Sequence, residues 1–192
     1  MKNNLQTLLK SALSIVAVGT FLALASSCTK QDFDTFTTVG FNYSYDVTIP
    51  DTTVDANQPL EGDYLTGEID TKFAEKLKDA KTTADLLSEI KLTRLSVTAL
   101  DGISNLDYLS SIKVYIKSAK NAEVLLVENT NIPVGAYSIY LETKDVNLKN
   151  YAFEDKIQFR TKLTMRPNSE IKDQKLRFEA SLIGNAKVSS LK

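Results

Sequence analysis

Apolar and polar residues alternate along much of this chain, and a period of two is the signature of a half-buried β-strand. The clearest run places Ile157, Phe159, Thr161, Leu163 and Met165 on one parity, with Lys156, Gln158, Arg160, Lys162 and Thr164 on the other. The pattern recurs in Phe41–Ile49, Thr93–Ala99, Ile112–Lys117, Tyr137–Leu141 and Leu176–Leu182, and residues 123–128 form a more uniformly apolar strand. Pro50, Asp101-Gly102, Pro133-Val134-Gly135 and Pro167-Asn168 supply turn signals between them. Alternation of this kind leaves one face of each sheet wet, as antiparallel sheets allow. About seven such strands predict a mainly β fold, an antiparallel β-sandwich over residues 41–192, with a closed barrel as the alternative. Charged outward positions exclude a lipid-facing barrel wall.

Two short helices are predicted between the first two strands. Asp70 or Thr71 caps a segment in which Phe73, Leu77 and Ala80 share a face. Thr82-Thr83-Ala84-Asp85 resembles a capping box leading into Leu86, Leu87 and Ile90. Residues 51–63, with Pro59 and Gly62, read as a loop.

The N-terminus has a different character. Lys2 and Lys10 precede an uncharged, mostly apolar run over residues 12–25, which is shorter than the ~20 residues a membrane span needs. A basic start, a short apolar core and small residues near its end describe a secretory signal. Cys28 follows at Leu24-Ala25-Ser26-Ser27-Cys28 and is the only cysteine of the chain. This stretch resembles the bacterial lipobox, and the Ser-Ser-Cys junction is most similar to lipoproteins of the Bacteroidota. The resemblance implies that residues 1–27 are removed and that the Cys28 thiol carries diacylglycerol, with the new amino group acylated as well. Residues 28–40 then form a lipidated start and a polar tether. Thr29 after the cysteine implies the outer membrane, lipid-anchored and either periplasmic or surface-exposed. Lys30, Asp32 and Asp34 loosely resemble a surface-export signal. Two or more acyl chains hold a protein stably at a bilayer.

Composition excludes several functions. The 192 residues contain no His and no Trp, and the net charge is −1. Without His the commonest general base and the His-based zinc sites and triads are missing. No basic surface of the kind that neutralises nucleic-acid phosphates is expected. There is no Gly-x-Ser-x-Gly elbow and no phosphate-cradling glycine loop. The chain is therefore read as non-enzymatic, with no cofactor, no metal and no catalytic residue. Asp46, Asp51, Asp55, Glu61 and Asp63 cluster in sequence, but their spacing matches no EF-hand, and a solvated loop is the preferred reading.

Two surface features point to ligands. Tyr115 and Tyr140 fall on outward parities and are candidates for stacking on a sugar ring, against the plainer role of cross-strand pairing. Lys156, Arg160, Lys162, Lys175 and Arg177 share one surface if the last two strands form a hairpin. That surface is a candidate anion site, although charges that guard a strand edge look the same in sequence. The preferred function is a lipid-anchored binding or structural module of the cell envelope, in adhesion or as an accessory subunit, partnered by the membrane and an envelope protein or glycan. A surface glycan-binding lipoprotein comes second. A carboxylate-dependent hydrolase comes third, because 24 acidic residues make chance pairs inevitable.

Overall fold

The computed structural model describes residues 36–100 and 105–187. The predicted signal sequence, Cys28 and the first part of the predicted tether lie outside the described residues. Eleven strands, two short α-helices and one 3-10 turn are found among the described residues. Four strands form one antiparallel sheet in the order β1 (Phe36–Ile49), β11 (Gln174–Lys187), β5 (Leu87–Ala99), β8 (Ser138–Leu141). The second sheet runs β3 (Leu60–Leu65), β9 (Lys156–Met165), β6 (Leu109–Ser118), β7 (Val124–Asn129). Its short fifth member, β4 (Ile69–Asp70), continues the β3 edge along β9. A two-stranded patch joins β2 (Thr52–Thr53) to β10 (Glu170–Ile171).

The sheets pack face to face as the predicted antiparallel sandwich. Inward residues of β1, β11, β5, β6 and β9 make one continuous buried core. At its centre Tyr45 stacks between Phe159 of β9 and Phe178 of β11, with ring centroids 5.1 Å and 5.0 Å away. The Tyr45 hydroxyl shares a 2.9 Å hydrogen bond with Thr161, a buried polar residue of the facing sheet. Burial without a charged partner pushes the Tyr45 phenol well above its usual range, so it stays a neutral hydrogen-bonding group.

All seven predicted strands are present, and several boundaries differ. Strand β1 begins at Phe36, so residues 36–40 extend the strand rather than the tether, and Val39 is buried. Strand β3 occupies part of the predicted loop over residues 51–63. The first predicted helix is α1 (Phe73–Asp79), but neither Asp70 nor Thr71 is its cap; Lys72 takes that place in a left-handed conformation. Phe73 packs its ring on Phe41, and Leu77 is buried. Tyr137 lies before β8 and is exposed rather than inward. An unpredicted short helix, α2 (Lys149–Ala152), follows Leu148.

The second predicted helix does not form. Ala84–Leu86 make one 3-10 turn, and the chain enters β5 at Leu87. The reason is a disguised period. β5 pairs with β11 through two bulges, so Leu87 faces Ala186, Ile90 faces Gly184, Leu92 faces Leu182 and Leu95 faces Ala180. Each bulge adds a residue and turns a spacing of two into a helix-like spacing of three. The extra residues are Ser88 and Thr93, both exposed, so Thr93 is not an inward residue. Their hydroxyls donate to Asn185 O and Ser181 O across the sheet, both at 3.0 Å. Gly184 fits the same place, since a Cβ there would lie 3.0 Å from Leu87.

Candidate functional site

The outer face of the four-stranded sheet is built from rows that run across strands. Asn42, Ser181 and Arg94 align in one row, and Ser44, Glu179, Ser96 and Tyr140 in the next. They enclose a shallow depression of about 320 Å³ lined by Asn42, Ser44, Arg94, Ser96, Glu179 and Ser181. Tyr140 does not line it but lies beside Arg94, which does, and is 66 % exposed. The Arg94 guanidinium lies 4.2 Å from the Tyr140 ring centroid and donates to its hydroxyl. A cation on one ring face holds the ring in place by charge–quadrupole attraction. Ser96 is buried at the floor.

One row further along, Asp46 joins two cations. Arg177 Nε donates to Asp46 Oδ1 at 2.9 Å, and Lys175 Nζ lies 3.2 Å from Oδ2. The Arg177 hydrogen bond is the main reason the Asp46 carboxyl sits below its usual range. Among the described residues Glu179 forms no ion pair, so it is the free carboxylate of this face.

The opposite outer face, on the five-stranded sheet, is laced by ion pairs. Arg160 Nε donates to Asp63 Oδ1 at 2.7 Å and Nη1 reaches Glu123 at 3.2 Å. Lys156 meets Glu68 and Lys113 meets Glu128, both at 2.8 Å. Lys162 lies 5.9 Å from the Tyr115 ring centroid. The Arg160 bond draws the Asp63 carboxyl below its usual range.

The residues singled out from sequence divide between these faces. β9 and β11 belong to different sheets and do not form a hairpin. Lys156, Arg160 and Lys162 therefore lie on one outer face, and Lys175 and Arg177 on the other. Four of the five are ion-paired, which leaves no common basic surface for an anion. Tyr115 and Tyr140 also belong to opposite faces, so no single sugar platform contains both. The acidic cluster disperses as well. Asp46 and Asp63 serve different sheets, Asp51 accepts from Asp173 N at 2.9 Å, and Asp55 accepts from Asn57 N at 2.8 Å. Among the described residues no three acidic or cysteine side chains converge as a metal site.

None of the proposed ligand residues lines the depression; Tyr140 reaches it only through its contact with Arg94. Arg94, Glu179, Asn42 and Ser44 were not singled out. Each is a polar residue on an outward parity, and only the pairing of β1, β11, β5 and β8 brings them together. The dish offers hydroxyl, amide, carboxylate and guanidinium groups beside one exposed ring, a chemistry suited to hydroxyl-rich ligands. Fold and surface together define a β-sandwich with a polar, open outer face. No protein-family model matches the chain, and no curated protein is similar to it.

Proposed function

We propose that this chain is a non-enzymatic, lipid-anchored protein of the bacterial outer membrane that acts as a binding or structural module. The observation that carries this reading is the placement of Cys28. It follows an apolar run of signal-peptide length and small residues, and the sandwich begins a few residues later at Phe36. Acyl chains on that thiol would leave the domain on a short tether at the bilayer surface. In this reading the domain's charged outer faces stay in water and its binding surface meets other envelope components. Replacing Cys28 with Ala should abolish fatty-acid labelling and release the protein from membranes. A variant that still labels and still fractionates with membranes contradicts the reading.

A second reading, a surface glycan-binding lipoprotein, is favoured by one feature. Arg94 lines a dish of hydrogen-bonding groups on an outer face and holds the exposed Tyr140 ring beside it. A glycan array read with wild type and Tyr140→Ala tests it. Loss of a specific signal in the variant supports it, and absence of wild-type binding ends it.

A further inference from the structure

The two sheets are unequal in width on one side. β1 is the edge of its sheet, and its inward Tyr45 stacks on Phe159 of β9 rather than on β3 or β4. Beyond Tyr45 the β3 edge therefore overhangs β1, whereas at Tyr43 β1 still meets Thr71, next to β4. The inward residues of β3 and β4 show the consequence. Leu60 pairs with Met165, Tyr64 with Thr161 and Ile69 with Ile157, so all three share the inward face of β9. The β9 partners are at most 2 % exposed, whereas Leu60 is 40 % exposed and Tyr64 and Ile69 are only half-buried. At one end Thr71 and α1 close this position, since the Tyr43 hydroxyl donates to Thr71 O at 3.1 Å and Phe41 stacks on Phe73 at 5.8 Å; over Leu60 and Tyr64 no further strand of the β1 sheet runs among the described residues.

That position has the shape of a strand. Two depressions lie along it, about 280 Å³ between Phe41–Ser44 and Ile69–Lys72, and about 310 Å³ between Asp46–Thr48 and Asp63–Thr66. The span from Phe41 to Thr48 is roughly 25 Å of extended chain at ~3.3 Å per residue. Alternate residues of β1 turn their N–H and C=O groups away from β11, and among the described residues these groups have no backbone partner.

The other edges carry devices that resist pairing. β8 is four residues long. β7 is bulged against β6, and β3–β4 is interrupted at Thr66–Glu68 and carries Glu61, Asp63, Glu68 and Asp70. β1 has none of these. It runs for 14 residues in unbroken register with β11, without Pro or Lys, and its one charge, Asp46, is tied to Arg177 and Lys175. Edges left in this state accept added strands.

We propose that the β1 edge is an acceptor site for one extended segment of a partner polypeptide, with apolar side chains at alternate positions. Main-chain bonds to β1 supply affinity, the two depressions receive alternate side chains beside Tyr64 and Ile69, and the exposed Leu60 continues the same face. The β1 strand of a second intact copy does not fit this role. Its inward residues, from Phe41 to Val47, are already buried in its own core and cannot cover a neighbour's β3. This inference deepens the binding-module reading, and its test does not depend on lipidation, so the two fail separately.

The test is hydrogen exchange on the chain from residue 28 onward, with an excess of a soluble nine-residue peptide alternating Val and Thr between terminal lysines. The control peptide has the same composition with its valines in one block. Alternate amides of β1 should exchange at least tenfold more slowly with the alternating peptide than with the control, and β7 amides should not change. Leu60→Asp, on a partly exposed position, should remove the protection while leaving β11 exchange intact. Equal exchange with the two peptides would overturn the proposal. So would β1 amides already as protected as those of β11 before any peptide is added.

Discussion

The two long sides of this sandwich end differently. On the β7–β8 side the chain crosses between sheets and closes the gap. Lys144 N donates to Leu126 O at 2.7 Å, Val127 bridges Thr143, and Leu148 N donates to Ile90 O at 2.7 Å. Asn147 adds its side-chain oxygen to Ile90 N at 3.2 Å. Leu148 is fully buried beneath this seam. On the β1 side β3 overhangs, and Leu60 stays partly in water. One fold can therefore finish one flank with its own backbone and leave the other with main-chain groups that are unpaired among the described residues. The difference lies in where polar backbone groups find partners, since both flanks enclose the same apolar core.

That contrast can be broken by substitution. Leu148→Ala should be costly because it opens a cavity under the closed seam, about 2–5 kcal/mol by chemical denaturation. Leu60→Ala on the open flank should cost under about 1 kcal/mol, as expected where the side chain is already partly hydrated. Equal losses at the two positions would mean that the flanks are equally sealed.

Between the flanks, Tyr45→Phe tests the polar contact that joins the sheets. It leaves the Thr161 hydroxyl buried without its partner and should cost about 1–3 kcal/mol, with the stacked ring retained. A neutral result would show that water replaces the phenol and that the centre is less dry than its burial implies.

The smallest effect concerns acid. Arg160 holds Asp63, on the overhanging strand, below the usual carboxylate range. A depressed folded pKa means that this contribution is present above the unfolded value near 4 and is lost as pH falls through the folded value. Wild type should therefore lose stability below about pH 4 more steeply than Asp63→Asn. Both groups are substantially exposed, so the difference should be slight and should shrink with salt. Parallel pH profiles would remove Asp63 from the forces that hold β3 to β9.

The legible and illegible parts of the sequence follow the same physical division. β9 is readable because its inward residues are all covered and its outward ones all wet, so burial and parity coincide. β3 escapes notice because Gly62, Glu61 and Asp63 interrupt an edge strand whose inward Leu60 is only partly covered. β5 imitates a helix at Leu87–Ile90 because its first bulge shifts the parity there, and the second bulge puts Thr93 on the wrong parity of an otherwise legible strand. The face dividing the five basic residues depended on which sheet each strand joins, and that choice is made by contacts far apart in the chain. Arg94 and Tyr140 meet for the same reason, through the pairing of β5 with β8.

What the open flank and the polar dish can meet depends on where the domain resides, which the proposed lipidation of Cys28 would set. Intact mass measurement of the protein extracted from membranes is the most direct check. The account predicts a chain that begins at Cys28 and carries diacylglycerol on its sulfur. A mature protein that begins at another residue, or an unmodified thiol at Cys28, would contradict it.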